Sequence, residues 1–160
     1  MNAQDVKDYI VTPVLFGISE FIPFSESAQN LLLGIAAQES NFYYLDQTTK
    51  GPGPAYGIYQ MEAETHNSHL AWLKQKPEFW KLVQTYQIEH MDNCLEMIGN
   101  FYYATIMGRI HIWRVAEGLP AAHDVLGMAN YWKRYWNTHL GKGTPEQFIK
   151  NYNRFVSPLR

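Results

Sequence analysis

The chain has 160 residues, 46% of them hydrophobic and 18% charged, with a formal net charge of -2. This length suits one domain with a sizeable core, and the composition excludes a disordered chain, which cannot bury enough apolar surface to offset the entropy of ordering. The lack of a basic excess excludes a general attraction to nucleic acid or anionic lipid; the single cysteine, Cys94, excludes an intramolecular disulfide, so packing alone must hold the fold.

In chain order, the N-terminus MNAQDVKDYIVTPVLFGISEF is polar and acidic where a secretory leader would be basic, and Ser19 and Glu20 break its apolar run. The expectation is a protein made in the cytoplasm without a signal peptide. Within this stretch Thr12 reads as an N-cap and Pro13 as the first helical residue, a position where a missing N–H costs nothing. Ser25 and Ser27 suit the capping of a second helix, SESAQNLLLGIAAQE, on which Leu32, Ile35, Ala36 and Glu39 fall on one side. Residues 40–59 hold three glycines, two prolines and two threonines, which predicts a loop with a short hairpin.

EAETHNSHLAWLKQ and PEFWKLVQTYQ then read as short helices, the second starting at Pro77. One long apolar helix is predicted from about Asp92 to Trp113. Glu96, Asn100 and Arg109 interrupt it, so it falls short of the roughly 18 uninterrupted apolar residues of a membrane span. AHDVLGMANYWKRYW is a further helix, and TPEQFIKNYNRF closes the chain with Thr144, Pro145 and Gln147 in a capping-box pattern. The prediction is a mainly α fold: one helical domain over residues 1–160, with an irregular loop or small hairpin after the helix that carries Glu39.

Three stretches carry chemistry. In QESN, Glu39 ends an otherwise apolar helix; desolvation there would raise its pKa, and a carboxyl protonated near neutral pH can act as a general acid. A glutamate that swings into solvent at a helix end is the plain alternative. In AYGIYQME, Gly57 permits a turn or close approach, Tyr59 offers a flat face and a hydroxyl, and Gln60 both donates and accepts. These groups suit a sugar, and they equally suit a turn packed on the core. In YWKRYWNTHLGKG, Tyr135, Trp136 and Asn137 end a helix before a glycine-bearing turn, where aromatic residues at helical spacing also serve as core and Asn137 as a C-cap.

Taken together and in this order, ES, then G-I-Y-Q, then an aromatic residue with Asn and downstream glycines, the chain resembles the lytic transglycosylases of the goose-type lysozyme superfamily. The likeness runs from Glu39 to Gly143, about two-thirds of the chain. GIYQMEAETH and YWNTHLGKGTPEQF look like a phage-encoded branch of virion-associated peptidoglycan-degrading proteins. The resemblance implies a lysozyme-like α+β fold and no cofactor. It makes Glu39 the catalytic acid and base, with Ser40 orienting substrate, Gly57 and Gln60 lining the saccharide groove, and Asn137 near Glu39. The expected partners are glycan strands of peptidoglycan and other virion or tail proteins, without nucleic acid or a membrane span. Action in the periplasm or cell wall, after delivery by a phage particle, completes that expectation.

One departure from the family pattern stands out. The tyrosine that usually precedes the asparagine is Trp136 here, so a hydroxyl contact to the glutamate must come from elsewhere, with Tyr135 the candidate. NYNRF, with Tyr152 and Asn153, mimics the third motif but lies mid-helix without a glycine turn. Protonation of a glycosidic oxygen needs one carboxyl, and a hydrolase adds a second carboxylate for water or for a covalent intermediate. Asp46, Glu62 and Glu64 are close enough in sequence to serve, so a muramidase stays open. A non-catalytic virion component that binds glycan, or a helical interaction module with no glycan role, are the readings from other classes.

Other clusters carry less. His66 and His69, with Glu62 four residues before His66, only sketch a metal site, since the spacing is not H-E-x-x-H and no further ligand is evident. Cys94, four residues after His90, reads as inert core rather than a nucleophile. LGKGT lacks the remainder of a phosphate loop, so nucleotide binding is not expected.

Overall fold

The computed structural model describes residues 1–43, 45, 54–88 and 93–160. The first helical run extends from Ala3 to Gly17 as α1 (Ala3–Val6), a π-helical turn (Lys7–Val11) and α2 (Thr12–Gly17). Asn2 caps it, accepting the Asp5 N–H at 2.8 Å. The expected start at Thr12 is thereby corrected: Thr12 is itself helical, and its N–H reaches the Lys7 carbonyl five residues back. Pro13 explains the wider turn. It has no N–H for the Tyr9 carbonyl, and its ring would press on that group in a regular α-helix. One extra residue in the turn makes room, and the Tyr9 carbonyl accepts the Tyr102 hydroxyl at 2.9 Å instead.

Helix α3 (Glu26–Ser40) is the centre of the molecule. Ser25 caps it as expected, accepting the Ala28 N–H at 3.3 Å. Every residue from Leu31 to Ala37 is buried, so other elements cover the helix on all sides. Its left-handed C-cap is Asn41, at φ 50°. Gly34 permits a close crossing, because a Cβ there would lie 2.5 Å from Phe148 and 2.9 Å from Tyr152 of the C-terminal helix.

Strands β1 (Ala55–Tyr56) and β2 (Met61–Glu62) pair antiparallel, with Ala55 opposite Glu62 and Tyr56 opposite Met61. This is the small hairpin expected after the glutamate helix. The predicted loop between them and α3 lies mostly outside the described residues. Helices α4 (Ala63–Lys74) and α5 (Pro77–Gln84) follow, the second opening on Pro77.

The single helix expected from about Asp92 is two, α6 (Glu96–Gly99) and α7 (Phe101–Trp113), and Asp92 itself lies outside the described residues. Asn100 makes the break. Its Oδ1 caps α7 by accepting the Tyr103 N–H at 3.0 Å, while its Nδ2 donates to the Tyr86 carbonyl at 2.6 Å and to Glu96 at 2.8 Å. A side chain that satisfies backbone groups on both sides competes with the continuous helix that the apolar pattern favours.

Helix α8 (Val125–Trp132) is capped by Asp124 and runs into a second π-helical turn (Lys133–Asn137). Helix α9 (Pro145–Phe155) carries the expected Thr144–Gln147 capping box. The described residues are thus mainly helical, with one small antiparallel pair, and a shared apolar core links α1 to α9. Among them no helix is long and apolar enough to cross a membrane.

Candidate active site

The last turn of α3 delivers Glu39 into a groove of about 580 Å³. The hairpin forms one side through Gln60 and Glu62, and the second π turn forms the other through Tyr135, Trp136 and Asn137. Glu39 is only partly exposed, and Trp132 Nε1 donates to its Oε1 at 2.7 Å. Burial pushes its pKa up to about 7, and the indole hydrogen bond acts in the opposite direction by favouring the carboxylate. A carboxyl poised there can both give and take a proton near neutral pH.

Trp132 is the functional residue that sequence reasoning missed. The candidate for this contact was Tyr135, which is corrected: the Tyr135 hydroxyl donates to Glu117 at 2.6 Å. Tyr135 lies in the π turn and is carried round to the Glu117 side, whereas Trp132, at the end of α8, meets α3. A usable signal was present, because a buried indole N–H must find an acceptor and Trp132 precedes Trp136 by one helical turn. The sequence could not say which acceptor.

Gln60, Tyr135, Trp136 and Asn137 line the groove with Glu39, so the hairpin and π-turn motifs do converge on it. Gln60 Nε2 donates to the Gly57 carbonyl at 2.7 Å, which leaves its side-chain oxygen as an acceptor. Asn137 Oδ1 accepts from Lys133 Nζ at 2.6 Å, and the same ammonium holds the Gly141 carbonyl at 2.8 Å, tying the turn after the helix to its base.

Three expected substrate contacts stand behind the wall instead. Ser40 is fully buried: its hydroxyl donates to the Ala36 carbonyl at 2.9 Å and accepts the Phe42 N–H at 3.2 Å, so it finishes α3 and does not line the groove. Gly57 has φ +72°, and a Cβ there would lie 2.3 Å from the Met97 carbonyl, so its role is the tight packing of the hairpin turn on α6. Tyr59 is buried with its hydroxyl 3.0 Å from Thr105 Oγ1, and its carbonyl accepts from Trp136 Nε1 at 3.2 Å. Tyr59 thus steadies Trp136 from within.

Among the carboxylates considered as partners, Glu62 lines the groove, Glu64 lines a neighbouring cleft, and Asp46 lies outside the described residues. The histidines of THNSH point inward. His66 Nε2 is 2.8 Å from the Tyr103 hydroxyl, and His69 Nε2 is 3.0 Å from His111 Nδ1. Among the described residues no group of three His, Cys, Asp or Glu could hold a metal ion. Cys94 is half-buried against the core, and His90 lies outside the described residues.

His69 belongs to a directional chain. Arg114 Nη1 can only donate, so His69 Nδ1 accepts from it at 2.8 Å; His69 Nε2–H then donates to His111 Nδ1, and His111 Nε2–H to the Tyr135 carbonyl at 2.8 Å. Both imidazoles are therefore neutral. Burial lowers the pKa of each, that of His69 to about 3 with help from His111 and Arg114. The Tyr135 carbonyl, near a helix end and short of an intrahelical donor, receives one from α7. The His111 ring also meets Trp136 edge-on at 4.6 Å.

Compared with protein-family models, with curated proteins and with solved structures, the chain matches none.

Proposed function

We propose that this chain is a lytic transglycosylase that cleaves the β-1,4 bond between N-acetylmuramic acid and N-acetylglucosamine of peptidoglycan, with local wall penetration by a phage particle as its setting. The observation that carries this reading is Glu39 in an open groove with a pKa near 7. The ordered ES, G-I-Y-Q and aromatic-Asn motifs, which resemble that family, support it through Gln60, Trp136 and Asn137 on the same groove.

Oε1 of Glu39 is engaged by Trp132, so Oε2 is the oxygen to carry the transferable proton. That proton passes to the glycosidic oxygen as the bond to muramoyl C1 breaks through an oxocarbenium-like state. The new carboxylate is stabilised by the waiting indole N–H, a donor already oriented before charge develops. It then takes the proton of the muramoyl 6-hydroxyl while that oxygen bonds to C1 and closes the 1,6-anhydro ring. Glu39 ends protonated, and no water is consumed.

Glu62 on the same groove favours a second reading, a muramidase in which it activates water. Mass spectrometry of released muropeptides separates the two: anhydro ends are expected, and a mixture with only reducing ends would replace the transglycosylase with the hydrolase. Glu39→Gln keeps the side chain's size and its acceptance of the Trp132 hydrogen bond while removing the proton, so wall clearing on a zymogram should drop by about 10²–10⁴-fold with folding intact. Retained clearing by the folded variant would overturn the assignment. Absence of clearing by the wild-type protein would favour the non-catalytic virion component.

A further inference from the structure

The groove does not stop at its α4–α7 wall. Thr65 and His111 line it on one side and, on the other, line a second cleft of about 440 Å³ that contains Ser68, His69 and Arg114. Thr65 and His111 are therefore a rim common to both, over which a branch of a substrate in the groove would pass into the cleft.

Arg114 is fixed where such a branch would arrive. Its Nη1 hydrogen-bonds the Ser68 carbonyl and hydroxyl, each at 3.2 Å, and His69 Nδ1 at 2.8 Å. The guanidinium carbon lies 5.6 Å from the Trp72 ring centre, a cation–π contact that restrains the plane further. All the contacts that hold it engage Nη1 or the ring face, and among the described residues Nε and Nη2 donate to nothing. No carboxylate of the described residues pairs with it; Glu64, which lines the same cleft, makes no ion pair with it. The imidazole behind it is neutral. A guanidinium already held in place, with a free donor edge and an uncompensated charge, matches a carboxylate.

We propose that this cleft is an anion subsite of the groove, in which Arg114 receives a free carboxylate of the peptide carried by the muramoyl residue. The proposal rests on the peptidoglycan reading. The peptide leaves the glycan laterally from the muramoyl ring, next to the scissile bond, so its subsite should open beside Glu39 rather than further along the groove. Thr65 and His111 line the same groove as Glu39 and also the cleft of Arg114, so the cleft opens from the groove that holds the carboxyl. The Ser68–His69 pair, unused by the acid–base chemistry, then serves as the seat of Arg114.

The test uses a soluble disaccharide muropeptide with free peptide carboxylates and the same compound with those carboxylates methyl-esterified, titrated calorimetrically into the Glu39→Gln protein. The free acid should bind about tenfold tighter than the ester. Arg114→Gln in that background should bring the two to the same affinity, and Arg114→Lys should recover part of the preference. Because Arg114 also anchors the histidine chain, a merely structural role would weaken both compounds alike; that result overturns the subsite, as does equal affinity for both before mutation or no binding of either. Wall clearing by the wild-type protein without the preference removes the subsite alone. A preference without any glycan cleavage removes the enzymatic reading and leaves the subsite standing.

Discussion

The chain passes twice through π-helical geometry, at Lys7–Val11 and at Lys133–Asn137, for different reasons. In the first turn the cause is local: Pro13 cannot serve the Tyr9 carbonyl, and the widened turn relieves it. In the second there is no proline, and the partly buried carbonyl of Tyr135 is held by His111, 24 residues earlier on another helix. The first turn lines no part of the groove, whereas Tyr135, Trp136 and Asn137 of the second all do. An irregularity imposed by sequence is absorbed in the scaffold; one imposed by tertiary contacts sets the wall of the candidate site. The lesson is that perturbing the second should change the site, and perturbing the first only the fold.

The largest effect is expected where the second turn's helix meets Glu39. The folded-state pKa of Glu39, about 7, lies above its ordinary 4.5, so between those values the folded protein holds a proton that the unfolded chain releases. The stability tied to that proton is complete below pH 4.5 and is lost as pH rises through 7, at most about 3 kcal/mol. Glu39→Gln has nothing to ionise. Its melting temperature, matched to wild type near pH 5, should exceed it clearly at pH 8; parallel pH dependence in the two proteins would mean that Glu39 is not desolvated. Trp132→Phe removes the donor that favours the carboxylate, so the Glu39 pKa should rise further and the basic limb of the activity profile should move to higher pH. An unmoved limb would show that the indole does not govern this proton.

Next in size is His111→Phe, which keeps a ring against Trp136 but removes both hydrogen bonds of His111. It leaves the Tyr135 carbonyl and the His69 N–H without partners, a loss of about 1–3 kcal/mol for a buried group left unmade. Glycan cleavage should fall by about tenfold alongside stability, because the Tyr135–Asn137 wall loses its anchor. Lower stability with full activity would place the second π turn in the same class as the first.

This contrast also marks what could be read from the chain itself. Caps were legible because they depend on neighbours in sequence: Ser25, Thr144 with Gln147, and Pro77 all formed as expected, whereas α3, read as apolar on one side, is buried all round from Leu31 to Ala37. The errors fell where distant groups decide. Pro13 looks like a helix start because nothing local reveals that Asn2 caps eleven residues earlier or that Tyr102 will satisfy Tyr9. Asn100 reads as one polar residue in an apolar helix because its partners, Tyr86 and Glu96, matter only after folding. At the site, Gln60, Trp136 and Asn137 were identifiable from motif order, while Ser40 and Tyr59 were not separable from groove residues. Their hydroxyls suit a sugar as well as they suit Ala36 and Thr105, and only packing chooses between them.

The smallest effect belongs to the first turn. Tyr102 is 43% exposed, so Tyr102→Phe lets water replace the lost hydroxyl at the Tyr9 carbonyl. Its cost should therefore stay near the net value of one exposed hydrogen bond, about 0.5–1.5 kcal/mol, rather than the penalty of a buried orphan. Chemical denaturation should detect this as a lower midpoint with an unchanged slope. Wall clearing and the pH profile should not move, since no residue of Lys7–Val11 touches the groove. If clearing fell together with stability, the separation between scaffold turn and site turn would fail, and the long helix from Ala3 to Gly17 would have to be counted among the elements that hold Glu39 in place.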